Sequence, residues 1–302
     1  MDRLAKGNEV MSQQYTLAYA SVEATIPRLM MEITTGSGCS VSCKFCPQKT
    51  FLQAYKSNIR KLSLKDFQKA LENMPKNIGI IFSGFAEPFL NAECSKMIRH
   101  AHETGHPVSL FTTGTGMTAE DLYAIQNIPF SGFPHGGFVL HLADDEGYAK
   151  INVDDAYLRL LKMIKESNIH NLLLRTMGSV HQAVRHIFPQ DAVTKQTMNT
   201  RAGYLSKEGI RAEHSPVSHK GQVICGRDEH IYNNVLLPNG DVVLCCQDFG
   251  LRHILGNIFK DPYDKIIPAP FAPYELCKTC HNAIALPQNF PKFQTNKPSP
   301  SK

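Results

Sequence analysis

Three cysteines fall within eight residues, Cys39-x3-Cys43-x2-Cys46, and five more lie toward the C-terminal end: Cys225, Cys245, Cys246, Cys277 and Cys280. The ninth, Cys94, stands apart and reads as a small apolar residue packed beneath a helix. In a reducing compartment, thiols clustered in this way point to metal or catalytic chemistry and not to a disulfide framework. Three thiolates on one tight loop suit a [4Fe–4S] cube, which takes four ligands, so that one iron is left for a ligand that is not protein. Zinc is the competing reading. A structural zinc site, however, closes with four ligands, usually as two pairs, and no fourth ligand stands near this trio. The separation of the two cysteine groups predicts two metal sites in two modules.

These residues need a framework, and the composition allows one. The chain has 302 residues, 42% of them hydrophobic and 20% charged, which is ordinary globular usage and excludes general disorder. The net charge, 32 − 27 = +5, falls far short of a nucleic-acid stripe. No apolar run approaches the roughly 20 residues of a membrane span, and the start of the chain lacks a signal peptide's apolar segment. A cytoplasmic protein with no nucleic-acid and no membrane partner is expected.

Along the chain, strands are predicted at residues 29–35, 78–82, 108–113, 138–142 and 172–176, with a weaker sixth near 192–198. Helices are predicted between them: one capped by Ser63 with Asp66 three residues on and stopped by Pro75, one capped by Asn91 and ending near Gly105, and others over 118–126, 154–167 and 180–188. Alternating strands and helices give a parallel sheet whose carboxyl-side strand ends carry the site. After Gly203 the pattern changes to a β-hairpin over 231–245, turned by Asn239-Gly240. The reading is therefore an α/β chain: an N-terminal extension over 1–28, a main domain over 29–205, a small β-hairpin/helix module over 206–286 and a flexible, proline-bearing tail over 287–302.

The first motif resembles the radical S-adenosylmethionine superfamily, whose signature is C-x3-C-x-φ-C with φ aromatic; Phe45 fills φ. The resemblance implies a partial (β/α)6 TIM-type barrel. It also implies that S-adenosylmethionine binds the open iron of a cluster on Cys39, Cys43 and Cys46 and is split to a 5′-deoxyadenosyl radical. Ser83-Gly84-Phe85-Ala86-Glu87-Pro88 resembles the family's loop for the methionine ammonium, with Ser83, Gly84, Ala86 and Glu87 as cofactor-binding residues and Glu87 as the charge. Phe85 and Ala86 stand where a second glycine is usual. Thr113 matches an element near the adenosine, and His141 a ribose-contacting position. Arg175 is assigned to the carboxylate of S-adenosylmethionine or to an anionic substrate. An electron donor such as flavodoxin or ferredoxin is implied as partner.

The second group resembles the SPASM and twitch auxiliary-cluster modules through Gly240-x4-Cys245 and Cys277-x2-Cys280, and no cysteine follows Cys280. One auxiliary [4Fe–4S] cluster on Cys225, Cys245, Cys277 and Cys280 is implied, with zinc as the alternative. Adjacent strand residues point to opposite faces, so Cys246 is turned away from that cluster, as a packed thiol or as a hydrogen-atom donor. The expected activity is hydrogen abstraction from a sugar- or aminocyclitol-like small molecule, giving oxidation. An epimerase using Cys246, a maturase acting on a peptide precursor and a non-catalytic metal-binding module are the alternatives. Asp144, Asp145 and Glu146 are polar residues available for hydroxyl or ammonium groups, or form a solvated face.

Overall fold

The structure is a computed structural model that describes residues 30–131, 136–197, 199–205, 217–225, 233–266 and 274–287. The N-terminal extension over 1–28 and all but the first residue of the tail over 287–302 lie outside the described residues. Strands β1 (Met30–Ile33), β2 (Gly79–Phe82), β3 (Val108–Thr112), β4 (Phe138–His141), β5 (Leu172–Thr176) and β6 (Thr194–Lys195) pair in sequence order, all parallel. Helices α1 (Gln48–Ala54), α2 (Leu64–Glu72), α3 (Cys94–Glu103), α4 (Ala119–Ile125) and α5 (Asp155–Glu166) lie in the connections. Parallel neighbours require such crossovers. The sheet stays open at its ends, the arrangement of a partial barrel.

Strand alternation divides the sheet into two chemistries. Met31, Ile33, Ile80, Phe82, Leu110, Phe138 and Leu140 face the helices and build the main core with Phe67, Leu71, Ile98, Leu122 and Leu161. The alternate residues Met30, Glu32, Ile81, Phe111, Val139 and His141 face a cavity. Cys94 is fully buried in the main core.

Helix signals near the site fare unevenly. The Ser63 side chain accepts from Asp66 N at 3.1 Å, as a cap should, and Thr118 forms a reciprocal capping box with Asp121. Asn91 does not cap α3, whose N-cap is Glu93. Its buried amide instead donates to Thr35 O and Leu62 O at 2.9 and 2.8 Å, tying the loop after β1 to the loop before α2. The helix expected over 180–188 is a run of turns, closed by bonds such as Val184 N to His181 O and Ile187 N to Val184 O, each spanning three residues. Helix α1 carries no periodic apolar stripe in the sequence and was not expected. Its signals are Pro47 at its start and the pair Phe51 and Tyr55 one turn apart.

The expected hairpin exists as β8 (Asn233–Leu236) and β9 (Asp241–Val243), after the short strand β7 (Val223–Cys225). Its turn uses one left-handed residue, Gly240 at φ +87°, following a Gly240 N to Leu237 O bond. That is a type I turn with a glycine bulge and not two left-handed residues in a row. The hairpin does not stand apart from the main sheet: β8 runs parallel to β1, Glu32 opposite Val235, and β10 (Ile254–Asn257) extends the same sheet beyond β9. Strand β11 (Ala283–Ala285) pairs with β7 in a separate two-stranded sheet.

Candidate active site

A cavity of about 650 Å³ opens at the carboxyl ends of β1 to β6. Each strand end delivers a side chain or loop to it. The Cys39–Cys46 loop and Glu32 come from β1, Ser83–Pro88 from β2, Thr112 and Thr113 from β3, His141 from β4, Arg175 from β5 and Gln196 from β6. Arg201, Cys246 and Phe249 complete the wall from later in the chain.

The cysteine loop is braced by main-chain bonds: Lys44 N to Tyr148 O at 2.8 Å, Cys46 N to Cys43 O at 3.1 Å and Ser37 N to Arg60 O at 2.8 Å. Burial, then the charges of Cys46 and Cys39, push the Cys43 thiol well up. Burial also raises Cys39 and Cys46. Gln48 Nε2 lies 3.2 Å from Cys46 Sγ and, with Arg201, offsets part of that rise. Among the described residues no group of three or more His, Cys, Asp or Glu side chains is set as the shell of a single metal ion. Three soft thiols that oppose one another's ionisation on one cavity wall fit a cationic cluster, which would relieve that repulsion and leave its fourth corner toward the cavity.

Phe45 stacks beside His141 with ring centroids 5.3 Å apart, and its carbonyl accepts from Arg201 Nε at 3.2 Å. His141 Nε2 is buried with no hydrogen-bond partner among the described residues. Burial, then the Arg175 and Arg201 cations, lower its pKa to about 4, which keeps the imidazole neutral. Arg175 lies over the Phe111 ring at 5.7 Å.

The β2 loop departs from expectation in detail. Gly84 sits at φ +64°, and a Cβ there would meet Thr34 N and Cα at 2.9 Å. The glycine is needed so that this loop can cross β1's end. Phe85, in place of a second glycine, is fully buried and packs edge-on against Phe249 at 4.8 Å and beside Phe51 at 5.0 Å. Glu87 borders the cavity, but its carboxylate already accepts from the Thr112 hydroxyl, from Thr113 N and Oγ1 at 2.8 Å each, and from Phe89 N at 3.5 Å. Burial raises its pKa and those donors oppose the rise. Ser83 Oγ is directed down to Glu32 Oε2 at 2.8 Å.

Residues 33–182 match the Radical SAM superfamily. The chain belongs to the radical SAM superfamily. A search of curated proteins gives no sequence match. The radical SAM fold recurs in the crystal structure of BtrN in complex with AdoMet and 2-DOIA (15% identity, 78% of this chain and 80% of that one, TM-score 0.50). It recurs also in Streptococcus suis SuiB bound to precursor peptide SuiA (13%, 83% and 67%, TM-score 0.55) and in anSMEcpe with bound AdoMet (15%, 84% and 86%, TM-score 0.50).

In this radical SAM protein the C-terminal cysteines gather elsewhere. Strand β7 sets Cys225 opposite Ala283, three residues after Cys280. Burial, then Cys280 and Cys225, push the Cys277 thiol up to about 12. Burial, then Cys246, Cys280 and Cys277, hold Cys245 well above its ordinary value. Cys277 therefore lies within electrostatic reach of Cys225, Cys245 and Cys280. Strand β9 ends at Val243, so alternation along a strand does not separate Cys245 from Cys246. In the turn after it Asp248 N is bonded to Cys245 O at 3.0 Å; Cys246 lines the cavity wall and is also the largest charge influence on Cys245.

Asp144, Asp145 and Glu146 are committed to main-chain donors, Asp144 within its own loop and the other two in the segment after β5. Asp144 accepts from Tyr148 N and Ala149 N at 2.7 and 3.1 Å, Asp145 from Gln182 N at 2.9 Å, and Glu146 from Ser179 N at 2.8 Å. Sequence reading passed over Glu32, Gln48, Gln196 and Arg201. For Glu32 a signal existed: a lone carboxylate within the apolar run Met30-Met31-Glu32-Ile33, in register with the inward set.

Proposed function

We propose that this enzyme removes a hydrogen atom from a carbon of a sugar- or aminocyclitol-like small molecule held in the cavity, and returns one from Cys246. Cys39, Cys43 and Cys46 would hold the [4Fe–4S] cluster. With S-adenosylmethionine bound, that cluster supplies a 5′-deoxyadenosyl radical. Phe45, His141, Thr113 and the Gly84–Glu87 loop would line the cofactor, and Arg175 and Arg201 would take its carboxylate or an anionic part of the substrate. The supporting observation is that Cys246 borders the same cavity as the cysteine trio. A thiol there gives its hydrogen atom to a carbon radical: the S–H bond breaks and a C–H bond forms. The resulting thiyl takes one electron and one proton from a reductant of the flavodoxin or ferredoxin class. If the hydrogen arrives on the opposite face, the carbon is inverted.

Oxidation is the second reading, favoured by the grouping of Cys225, Cys245, Cys277 and Cys280. Four thiols can close an auxiliary [4Fe–4S] cluster, and such a site would accept the electron of a substrate radical as a proton leaves. The cavity volume falls within the range of roughly 300–1,000 Å³ usual for small ligands, which supports a small molecule over a peptide.

Oxygen-free reconstitution should load about eight irons per chain, and the reduced protein should release 5′-deoxyadenosine from S-adenosylmethionine. With substrate, inversion puts solvent deuterium on the product carbon, and Cys246→Ala should abolish that label while 5′-deoxyadenosine still forms. A ketone product without deuterium selects oxidation. No 5′-deoxyadenosine at all refutes radical chemistry.

A further inference from the structure

We infer that Glu32 is the substrate-recognising residue of the cavity and selects a molecule bearing a protonated amine. This rests on the radical reading only in taking the cavity as the substrate's place. Glu32 is 7% exposed, on the inward face of β1, and by strand register lies two inward-facing layers below the rim residues Thr113, His141 and Arg175. The hydrogen bond it makes is from Ser83 Oγ at 2.8 Å, and among the described residues it forms no ion pair. Met30 and Ile81 beside it, and Val139 higher on the same cavity wall, carry no charge.

A carboxylate withdrawn from water is costly unless a cation or several donors meet it. Glu87 shows what a satisfied buried carboxylate looks like here, with four donors on its two oxygens. Glu32, with one hydroxyl among the described residues, is under-supplied there and borders the open volume. The missing partner is best an ammonium, which brings both charge and donors. The two cavity arginines, Arg175 and Arg201, lie at the rim and would repel an ammonium from there. Charge therefore orders the cavity from anion-binding at its mouth to cation-binding at its floor. An amino-polyol entering it would place its amine against Glu32 and present ring carbons to the rim.

The test uses the full chain, reconstituted without oxygen and saturated with S-adenosylmethionine. Glucosamine and 2-deoxystreptamine serve as amine probes, with glucose and myo-inositol as matched neutral probes, and binding is read by thermal shift and saturation-transfer NMR. The expected result is preferential binding of the amine probes. Glu32→Gln should weaken them on the order of tenfold or more, as loss of a charged hydrogen bond does, Glu32→Asp should retain part of the preference, and S-adenosylmethionine affinity should stay within about twofold in both variants. Equal binding of amine and neutral probes, absence of probe binding, or amine binding unaffected by Glu32→Gln overturns the inference. So does a parallel loss of S-adenosylmethionine affinity, which would make Glu32 a cofactor residue. Lack of 5′-deoxyadenosine release by the wild type would refute the radical reading instead and leave the probe preference to be judged separately.

Discussion

His141 shows how a single residue is tuned by what surrounds it. Its pKa is lowered to about 4, by burial first and then by Arg175 and Arg201, against 6.5 for the ordinary group. Between those values the unfolded chain binds a proton that the folded chain refuses. Stability therefore rises with pH through that window, is complete above it, and is lost as pH falls through it. At pH 5 the penalty relative to pH 7 is about 2 kcal/mol. Urea denaturation at both pH values should show that difference in the wild type and lose most of it in His141→Gln. An unchanged pH dependence in the variant would mean that the imidazole is not held neutral by the fold. The site's other single residues divide in the same physical way. Glu87, Glu32 and Cys246 all line the cavity, but Glu87 is saturated by β3's end, whereas Glu32 and Cys246 are the residues to which we assign substrate chemistry.

At the scale of elements, the second apolar cluster does the joining. Phe51 and Tyr55 from α1, Phe85 from the β2 loop, Val235 and Val243 from the hairpin, and Phe249 beyond it pack together, with Cys46 and Cys246 at the edge. Two cysteines from distant parts of the sequence thus meet one cavity because a shared aromatic core holds their loops. Phe85→Ala should cost about 3–5 kcal/mol in chemical denaturation, and hydrogen exchange should quicken first in β8 and β9. Uniform quickening across the sheet would show that Phe85 is ordinary core and not the joint. Of these elements, the β1 to β5 strands, α2, α4 and α5 are legible in the sequence, since caps and periodic stripes are local signals. Helix α1 is not, because it packs onto Phe85 and onto hairpin residues nearly two hundred positions away.

For the whole molecule, the parallel contact of β8 with β1 decides how far the parts are independent. Removing everything after residue 205 would strip a strand from β1, leaving an unpaired inner edge and uncovering Phe51 and Phe85. Such a fragment should show no cooperative thermal transition by circular dichroism and should aggregate, while the full chain unfolds in one step. A fragment that melts cooperatively would make the hairpin an appendage. The strap at Arg201 and Ala202 fits the same picture. Both are non-glycine residues with positive φ, 47° and 50°, held by Arg201 Nε to Phe45 O and by Thr279 Oγ1 to Ala202 O. That pair of bonds ties the first cysteine loop to the turn between Cys277 and Cys280. Strain kept by such bonds is typical of functional sites.

By itself the sequence determined the family that the first motif marks, the alternation of strands and helices, and the hairpin, because thiol spacing, period and turn residues are properties of short stretches of chain. Only the tertiary structure decided that the hairpin continues the main sheet, that Cys246 and not Cys245 lines the cavity, and that among the described residues Glu32 meets a single hydroxyl there. Those facts depend on which distant residues are neighbours and on which polar groups find a partner once water is excluded. Local pattern carries no record of either.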